Sequence, residues 1–569
     1  MADTSGALTK PSPSWLDRAA RQPFLAILLV ALVGWASGLM SLPPLDRDES
    51  RFAEASRQMV ETGNYVDIRF ANVPRYNKPV GIYWLQAGSA QLWGMEFRGR
   101  IWVYRLPSWL GGLLASWFLY VLARSIAPPA TALIASLLLE TTLLLTGEST
   151  IATTDAALLA TVIAAQYALM RVYLAARGRS APSRILILGG WAAVGAGLLI
   201  KGPVILAVLG ATAFALSLWD RDWRWLAGTR PLLGAALAIV MVAPWASAIA
   251  LASHGAFYQQ SLGHDFAGKI LSGEESHGAP PGYYLALASV TLWPAILFVL
   301  PALALAIKNR AEPATRYLLA WSGATWLLFE LVPTKLPHYI LPAYPALALL
   351  AALWITGLRE GSERRWDCIL RHAACVVFAV VLVALAAICV ILPERLGGAT
   401  GPIELTGAAV GLVMGCAAII FLLRHERLTA AGAALMCGLV FYPVLALGVA
   451  PQLHEIWLSP RAAELVAGHR GVSDHAPVVL DGYVEPSLVF LLGSNTQIGT
   501  AGNAAEAAEA SGLALVENRV QSRFLTDLRS RGDGAAPLGE VSGLDYSTGR
   551  QQHVTLYRVT RINPGKPDS

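Results

Sequence analysis

The side chains able to do chemistry fall into a few short stretches. In "LDRDESRFAEASRQ", Leu45 to Gln58, Asp48 and Glu49 stand side by side just after an apolar run. A carboxylate there can take a proton from a nucleophile or stabilise a developing cation. The same pair also suits a helix start, with Asp as N-cap and Glu in the first turn. Asp155, in "GESTIATTDAALL", heads another apolar segment. An ionisable group at membrane depth is a functional candidate, with capping after Thr153 and Thr154 as the simpler alternative.

Cations gather in two tyrosine-rich stretches. "PRYNKPVGIYW", Pro74 to Trp84, surrounds Lys78 with Tyr76, Tyr83 and Trp84, and "PTKLPHYILPAYP", Pro333 to Pro345, carries Lys335, His338, Tyr339 and Tyr344. A lysine among aromatics can be snorkelling at a membrane interface. It is also the seat an anionic head group needs. A last stretch, "HDFAGKILSGEESHGAPPGYY", adds Lys269 as a further cation and His264, Asp265, Glu275 and His277 as candidates for a divalent metal. Those residues lack compact ligand spacing, and a solvated polar loop explains them as well. No Gly-rich phosphate loop or Ser/His/Asp order is present, which argues against a soluble nucleotide as direct substrate.

These residues need a membrane scaffold to position them. Of the 569 residues 55% are hydrophobic and 14% charged, and the mean hydropathy is +0.51, so the chain is an integral membrane protein. Roughly thirteen apolar segments can span a bilayer: 24–42, 104–123, 128–146, 155–174, 185–200, 203–219, 231–251, 284–307, 315–332, 339–357, 373–392, 404–423 and 428–450. The first reads as a retained span rather than a removable signal. The fifth and sixth are short and flank Lys201-Gly202-Pro203, as half-length or broken helices would. With the N-terminus inside, the cytoplasmic loops "RVYLAARGRSAPSR", "DRDWRWLAGTR", "KNRAEPATR", "REGSERRWDCILR" and "RHER" are rich in arginine. The net charge of +5 therefore marks basic inner loops and not a nucleic-acid partner. Cys368, Cys375, Cys389, Cys416 and Cys437 have no paired spacing, so neither disulfides nor cysteine chemistry is expected.

The expected organisation is a membrane domain, 1–450, whose outer loops 43–103 and 252–283 cover the site, followed by an outer domain, 451–569. Within 49–62, Phe52, Ala55, Met59 and Val60 recur at helical spacing, as in an amphipathic helix lying along the interface. In the tail "APVVLDG", "EPSLVFLLG" and "HVTLYRV" read as strand, helix and strand, a small α/β fold.

The ordered set "DRDESRFAE", "RYNKP", Asp155, "KLPHYILPAYP" and "GYVEPSLVFLLG" resembles the GT-C class of lipid-dependent glycosyltransferases, and within it the bacterial 4-amino-4-deoxy-L-arabinose transferases and the related protein O-mannosyltransferases. The resemblance covers nearly the whole chain. It implies a GT-C fold in the bacterial inner membrane, with the N-terminus cytoplasmic and the tail periplasmic. It implies transfer, with inversion, of a sugar from a polyprenyl (undecaprenyl) phosphate to lipid A or another envelope acceptor, by a monomer. On this resemblance Asp48 is the acid of the reaction centre, Lys78 and Tyr339 lie near the donor phosphate, and Asp155 is a second acid of the cavity. Asn77 stands where a glutamate is usual and Phe52 where a tyrosine is common, departures that bear on which sugar is carried. Protein mannosyl or hexosyl transfer, and a lipid-linked sugar flippase, are the alternative readings.

Overall fold

The structure is a computed structural model that describes residues 15–71, 73–266, 279–357, 365–470, 477–500 and 503–561. Helices dominate, and their ends follow local chemistry. Pro23–Ser41 starts on a proline, whose missing N–H costs nothing in a first turn, and stops at Leu42 before Pro43 and Pro44. Large apolar side chains such as Leu29, Leu232, Val376, Val380 and Val413 are exposed on helix surfaces, as expected where lipid rather than water is the solvent.

Among the described residues nine helices are long and apolar enough to cross a membrane, or ten when Pro129–Glu140 and Leu143–Thr150, bent by 65°, count as one span. The other three expected spans correspond to weaker elements. Val204–Asp220 has 17 residues, the segment 284–307 is split into Tyr283–Thr291 and Ile296–Lys308, and Pro313–Leu331 carries Arg316 and Glu330 near its ends. The break at Gly202-Pro203 separates Arg184–Lys201 from Val204–Asp220, with Gly202 at a φ of +66°. Lys201 is thereby left at a helix end.

Glycines set the close approaches. A Cβ on Gly111 would lie 2.6 Å from the backbone of Ala157, so Ile101–Arg124 packs directly on Asp155–Ala175. A Cβ on Gly81 would lie 2.7 Å from the backbone carbonyl of Leu199. That contact seats Gly81–Trp93 on the helix ending in Lys201 and brings the preceding Lys78 alongside it.

The expected interfacial helix, Asp48–Thr62, is enclosed rather than lying on a surface. Phe52, Ala55 and Met59 are buried as the pattern required, but Glu49, Glu54 and Arg57 are buried as well. The second cover comes from the tail, where Arg57 donates to the Phe490 carbonyl at 2.9 Å and Phe490 packs edge-on against Tyr104.

The tail forms a five-stranded sheet ordered 497–498, 479–481, 513–517, 550–561 and 533–545. The first three strands are parallel and the rest antiparallel. Alternation sends Leu480, Leu513 and Leu515 to one face, under Leu458–His469 and Pro486–Leu492. Val479, Ala514 and Val516 go to the other, under Ala504–Ser511 and Asn518–Ser530.

Candidate functional site

At one end of the helix bundle, beneath the tail, lies a cavity of about 670 Å³. Asp155 opens its helix at this end, and some 30 Å along the axis Tyr173 and Arg177 meet Asp220 and Arg316 at the arginine-rich end. The site and the basic loops thus occupy opposite ends.

The cavity brings together Asp48, Lys78, Asp155, His338 and Tyr339 from four separate stretches of sequence. Asp48 presents its carboxylate to the cavity with 64% of the side chain exposed. Burial by the walls would raise this acid, but Arg75, Lys78 and Arg51 around it hold it below the ordinary carboxylate range. Arg75 places its Nη2 3.4 Å from Asp48 Oδ1. Its guanidinium stacks 5.2 Å above the Phe52 ring, and its Nε donates to the Tyr83 hydroxyl at 3.2 Å.

Deeper in, Lys201 donates to Asp155 Oδ1 at 2.5 Å while its Nζ lies 5.3 Å above the Tyr339 ring. Thr154 donates to the other Asp155 oxygen at 3.1 Å. His338 sits between two acids, 4.0 Å from Asp155 Oδ2 and 3.8 Å from Glu148 Oε1. Arg75, Lys201, Arg51 and Glu148 were not picked out from sequence. Arg75 adjoins the Lys78 cluster, and a lysine closing a short apolar helix was a usable signal at Lys201.

Among the described residues around the cavity wall, five cationic side chains, Arg47, Arg51, Arg75, Lys78 and Lys201, face three carboxylates, Asp48, Asp155 and Glu485. The surplus of positive charge suits an anionic ligand.

Several expected site residues lie elsewhere. Glu49 is 2% exposed and accepts from Arg105 Nε at 2.7 Å and Nη2 at 2.9 Å, and from the backbone N–H groups of Leu45 and Ala152 at 2.8 and 2.7 Å. With its oxygens so occupied it is a structural acid. Tyr76 donates to Asp67 at 2.9 Å and packs on Phe257, and burial with that bond pushes its hydroxyl up to about 12. Tyr83 stands behind the wall, against Phe52. Lys335 is buried and donates to the carbonyls of Glu330 and Val332 at 2.5 and 3.1 Å, closing a helix C-terminus. Tyr344 is fully buried beside Thr291 Oγ1 at 2.5 Å.

Lys269, Glu275 and His277 lie outside the described residues, as does the side chain of His264. Among the described residues no group of three or more His, Cys, Asp or Glu is placed to hold a metal ion.

The architecture is shared with membrane glycosyltransferases. The crystal structure of ArnT from Cupriavidus metallidurans bound to undecaprenyl phosphate superposes with a TM-score of 0.72 at 20% identity, covering 93% of this chain and 97% of that one. The archaeal oligosaccharyltransferase AglB from Archaeoglobus fulgidus gives 0.51 at 12% identity, over 95% and 74% of the two chains. The chain therefore has the GT-C fold.

Within that class, residues 77–247 match the family described as dolichyl-phosphate-mannose-protein mannosyltransferase. The undecaprenyl phosphate-alpha-4-amino-4-deoxy-L-arabinose arabinosyl transferase of Aeromonas hydrophila is 31% identical over 59% of this chain and 62% of its own length. The chain thus spans under two thirds of the curated relatives it matches. The resemblance read from the ordered motifs is borne out.

Proposed function

We propose that this chain is a membrane-embedded glycosyltransferase that moves a sugar from an undecaprenyl-phosphate donor to lipid A or another envelope acceptor, on the periplasmic face of the bacterial inner membrane. The observation that carries this reading is an exposed, ionised Asp48 in the same cavity as Arg75, Lys78 and Lys201. The sequence similarity to aminoarabinosyl transferases and the fold shared with an undecaprenyl-phosphate-bound structure support it. The end carrying the cavity lies away from the arginine-rich loops, which is the outer end by the positive-inside rule.

The geometry suggests how such a transfer proceeds. The bond between the anomeric carbon and the phosphate oxygen breaks, its electron pair leaves with the phosphate, and the sugar becomes oxocarbenium-like. Lys78, Arg75 and Lys201 stabilise the growing charge on the phosphate, the kind of electrostatic help that acts strongly in a walled cavity. Tyr339, under Lys201, borders the same region. An acceptor oxygen forms the new bond from the opposite side, inverting the anomeric centre. Asp48 takes the proton of a hydroxyl acceptor, or, where the acceptor is an already ionised phosphate, faces the positive charge on the sugar. Asp155, neutralised by Lys201, positions that lysine and His338.

The test is Asp48→Asn. Sugar transfer from a radiolabelled undecaprenyl-phosphate donor to lipid A should fall by about 10²-fold or more with melting temperature unchanged. Full turnover in that variant overturns the assignment of Asp48.

A further inference from the structure

Two loops of the tail reach the mouth of the cavity, and one carries a carboxylate. Glu485 precedes the helix Pro486–Leu492 and lines the cavity with Val484, Ser547 and Thr548. Its place is built by a chain of polar contacts. The Ser547 hydroxyl donates to Glu485 Oε1 at 2.9 Å, and the Ser547 carbonyl accepts from Arg47 Nη2 at 2.6 Å. The Asp46 N–H donates to the Tyr546 hydroxyl at 2.7 Å, and the Ser487 hydroxyl bonds the Asp46 carboxylate. Arg47 holds a positive φ of +62° with ψ −113° at this junction, a conformation non-glycine residues keep only where the surroundings fix it.

The proposed displacement uses none of these groups. On that reading the inner wall is already taken, with Arg75, Lys78 and Lys201 toward the donor phosphate and Asp48 toward the reacting sugar and the incoming oxygen, and a reaction that joins two molecules needs a second seat. A carboxyl flanked by an arginine is a poor seat for phosphate alone. It suits a phosphorylated saccharide, whose phosphate faces the arginine while a ring hydroxyl bonds the carboxyl. Burial, with the nearby Asp46 and Asp545, pushes Glu485 up to about 7, so near neutral pH its carboxyl can both accept and donate such a bond.

We propose that Glu485 is an acceptor-binding residue, its carboxyl holding a hydroxyl of the phosphorylated disaccharide head group of lipid A while Arg47 faces the phosphate. The inference rests on the glycosyltransferase reading above and adds that the tail supplies the acceptor half of the site.

The test measures binding of lipid A and of undecaprenyl phosphate, separately, to the full-length protein in nanodiscs. Glu485→Ala should raise the Kd for lipid A about tenfold, as for loss of one charge-assisted hydrogen bond, with the Kd for undecaprenyl phosphate and the melting temperature unchanged. Glu485→Gln, which keeps the side chain's shape, should give a smaller shift of the same kind and serves where the alanine variant melts early. An unchanged lipid A Kd, or equal weakening of both ligands, overturns the proposal. So does wild-type protein that binds undecaprenyl phosphate but no lipid A, a result that leaves the donor reading standing. Wild-type protein that fails to bind undecaprenyl phosphate overturns the donor reading itself and this inference with it.

Discussion

Glu49 and Arg105 form a bidentate ion pair in which the arginine is fully buried and also donates to the carbonyls of Leu42 and Pro43 at 2.7 and 2.8 Å. The pair ties the exit of the first span to the start of the helix that displays Asp48. Adjacent acids therefore have opposite duties, one holding the frame and the other facing the cavity. Removing one partner of a buried pair costs about 3–5 kcal/mol. Glu49→Leu should lower the melting temperature and the yield of folded protein, measured by size-exclusion chromatography in detergent, whereas Asp48→Asn should leave both unchanged.

Tyr76 and Lys335 test the cavity's boundary. The Tyr76 hydroxyl is committed to Asp67 and the Lys335 ammonium to backbone carbonyls. Tyr76→Phe should keep transfer within about threefold of wild type, the cost of at most one ordinary hydrogen bond. Lys78→Met should lose far more in the same assay.

The Asp155 and Lys201 pair calls for a double-mutant cycle. Lys201→Met leaves Asp155 buried with its nearest cation gone, and Asp155→Asn leaves the reverse. The double variant should be more stable than the sum of the single losses predicts, with a coupling of about 1–3 kcal/mol in thermal unfolding. Transfer should stay low in all three, because Lys201 borders the cavity and Asp155 is the group that positions it there.

The contact between tail and bundle should depend on pH. Glu54 is buried beside Arg57, Glu61, Gln58 and Ser494, and burial pushes it from 4.5 up to about 7. An acid raised on folding contributes stability that is complete below its unfolded value and lost as pH rises through its folded one. Hydrogen-exchange protection of 486–494, corrected for intrinsic rate, should therefore fall between about pH 5 and about pH 8. Glu54→Gln should reduce that dependence, leaving the share that Glu485, also raised to about 7, contributes in the same range.

Much of this site could be read without coordinates, for physical reasons. Asp48, Asp155, Lys78, His338 and Tyr339 are polar groups at the ends of apolar runs, where charge is costly unless something needs it. The same signal misled at Lys335 and Tyr344, because a cation can also close a helix and a tyrosine can bury its hydroxyl on a threonine. Lys335, a few residues past the end of Pro313–Leu331, could have been recognised as a C-terminal cap. Glu485 could not have been found from periodicity. It reaches the cavity through contacts between residues more than 400 positions apart, such as Ser487 with Asp46, and local pattern carries no record of such pairings. The helix Asp48–Thr62 read as interfacial for the same reason, since its second cover is the distant tail.

The backbone contact at Gly81 has a mechanical consequence. Lys78 precedes a helix pressed against the very helix that ends in Lys201, with no side chain between them to act as a cushion. The two cations are therefore mounted on one close-packed jaw of the cavity. The opposing jaw, carrying Glu485, is clasped by hydroxyls, carboxylates and a guanidinium that can let go one bond at a time. On the reading proposed above, a lipid head group would meet a close-packed grip on one side and a hydrogen-bonded latch on the other.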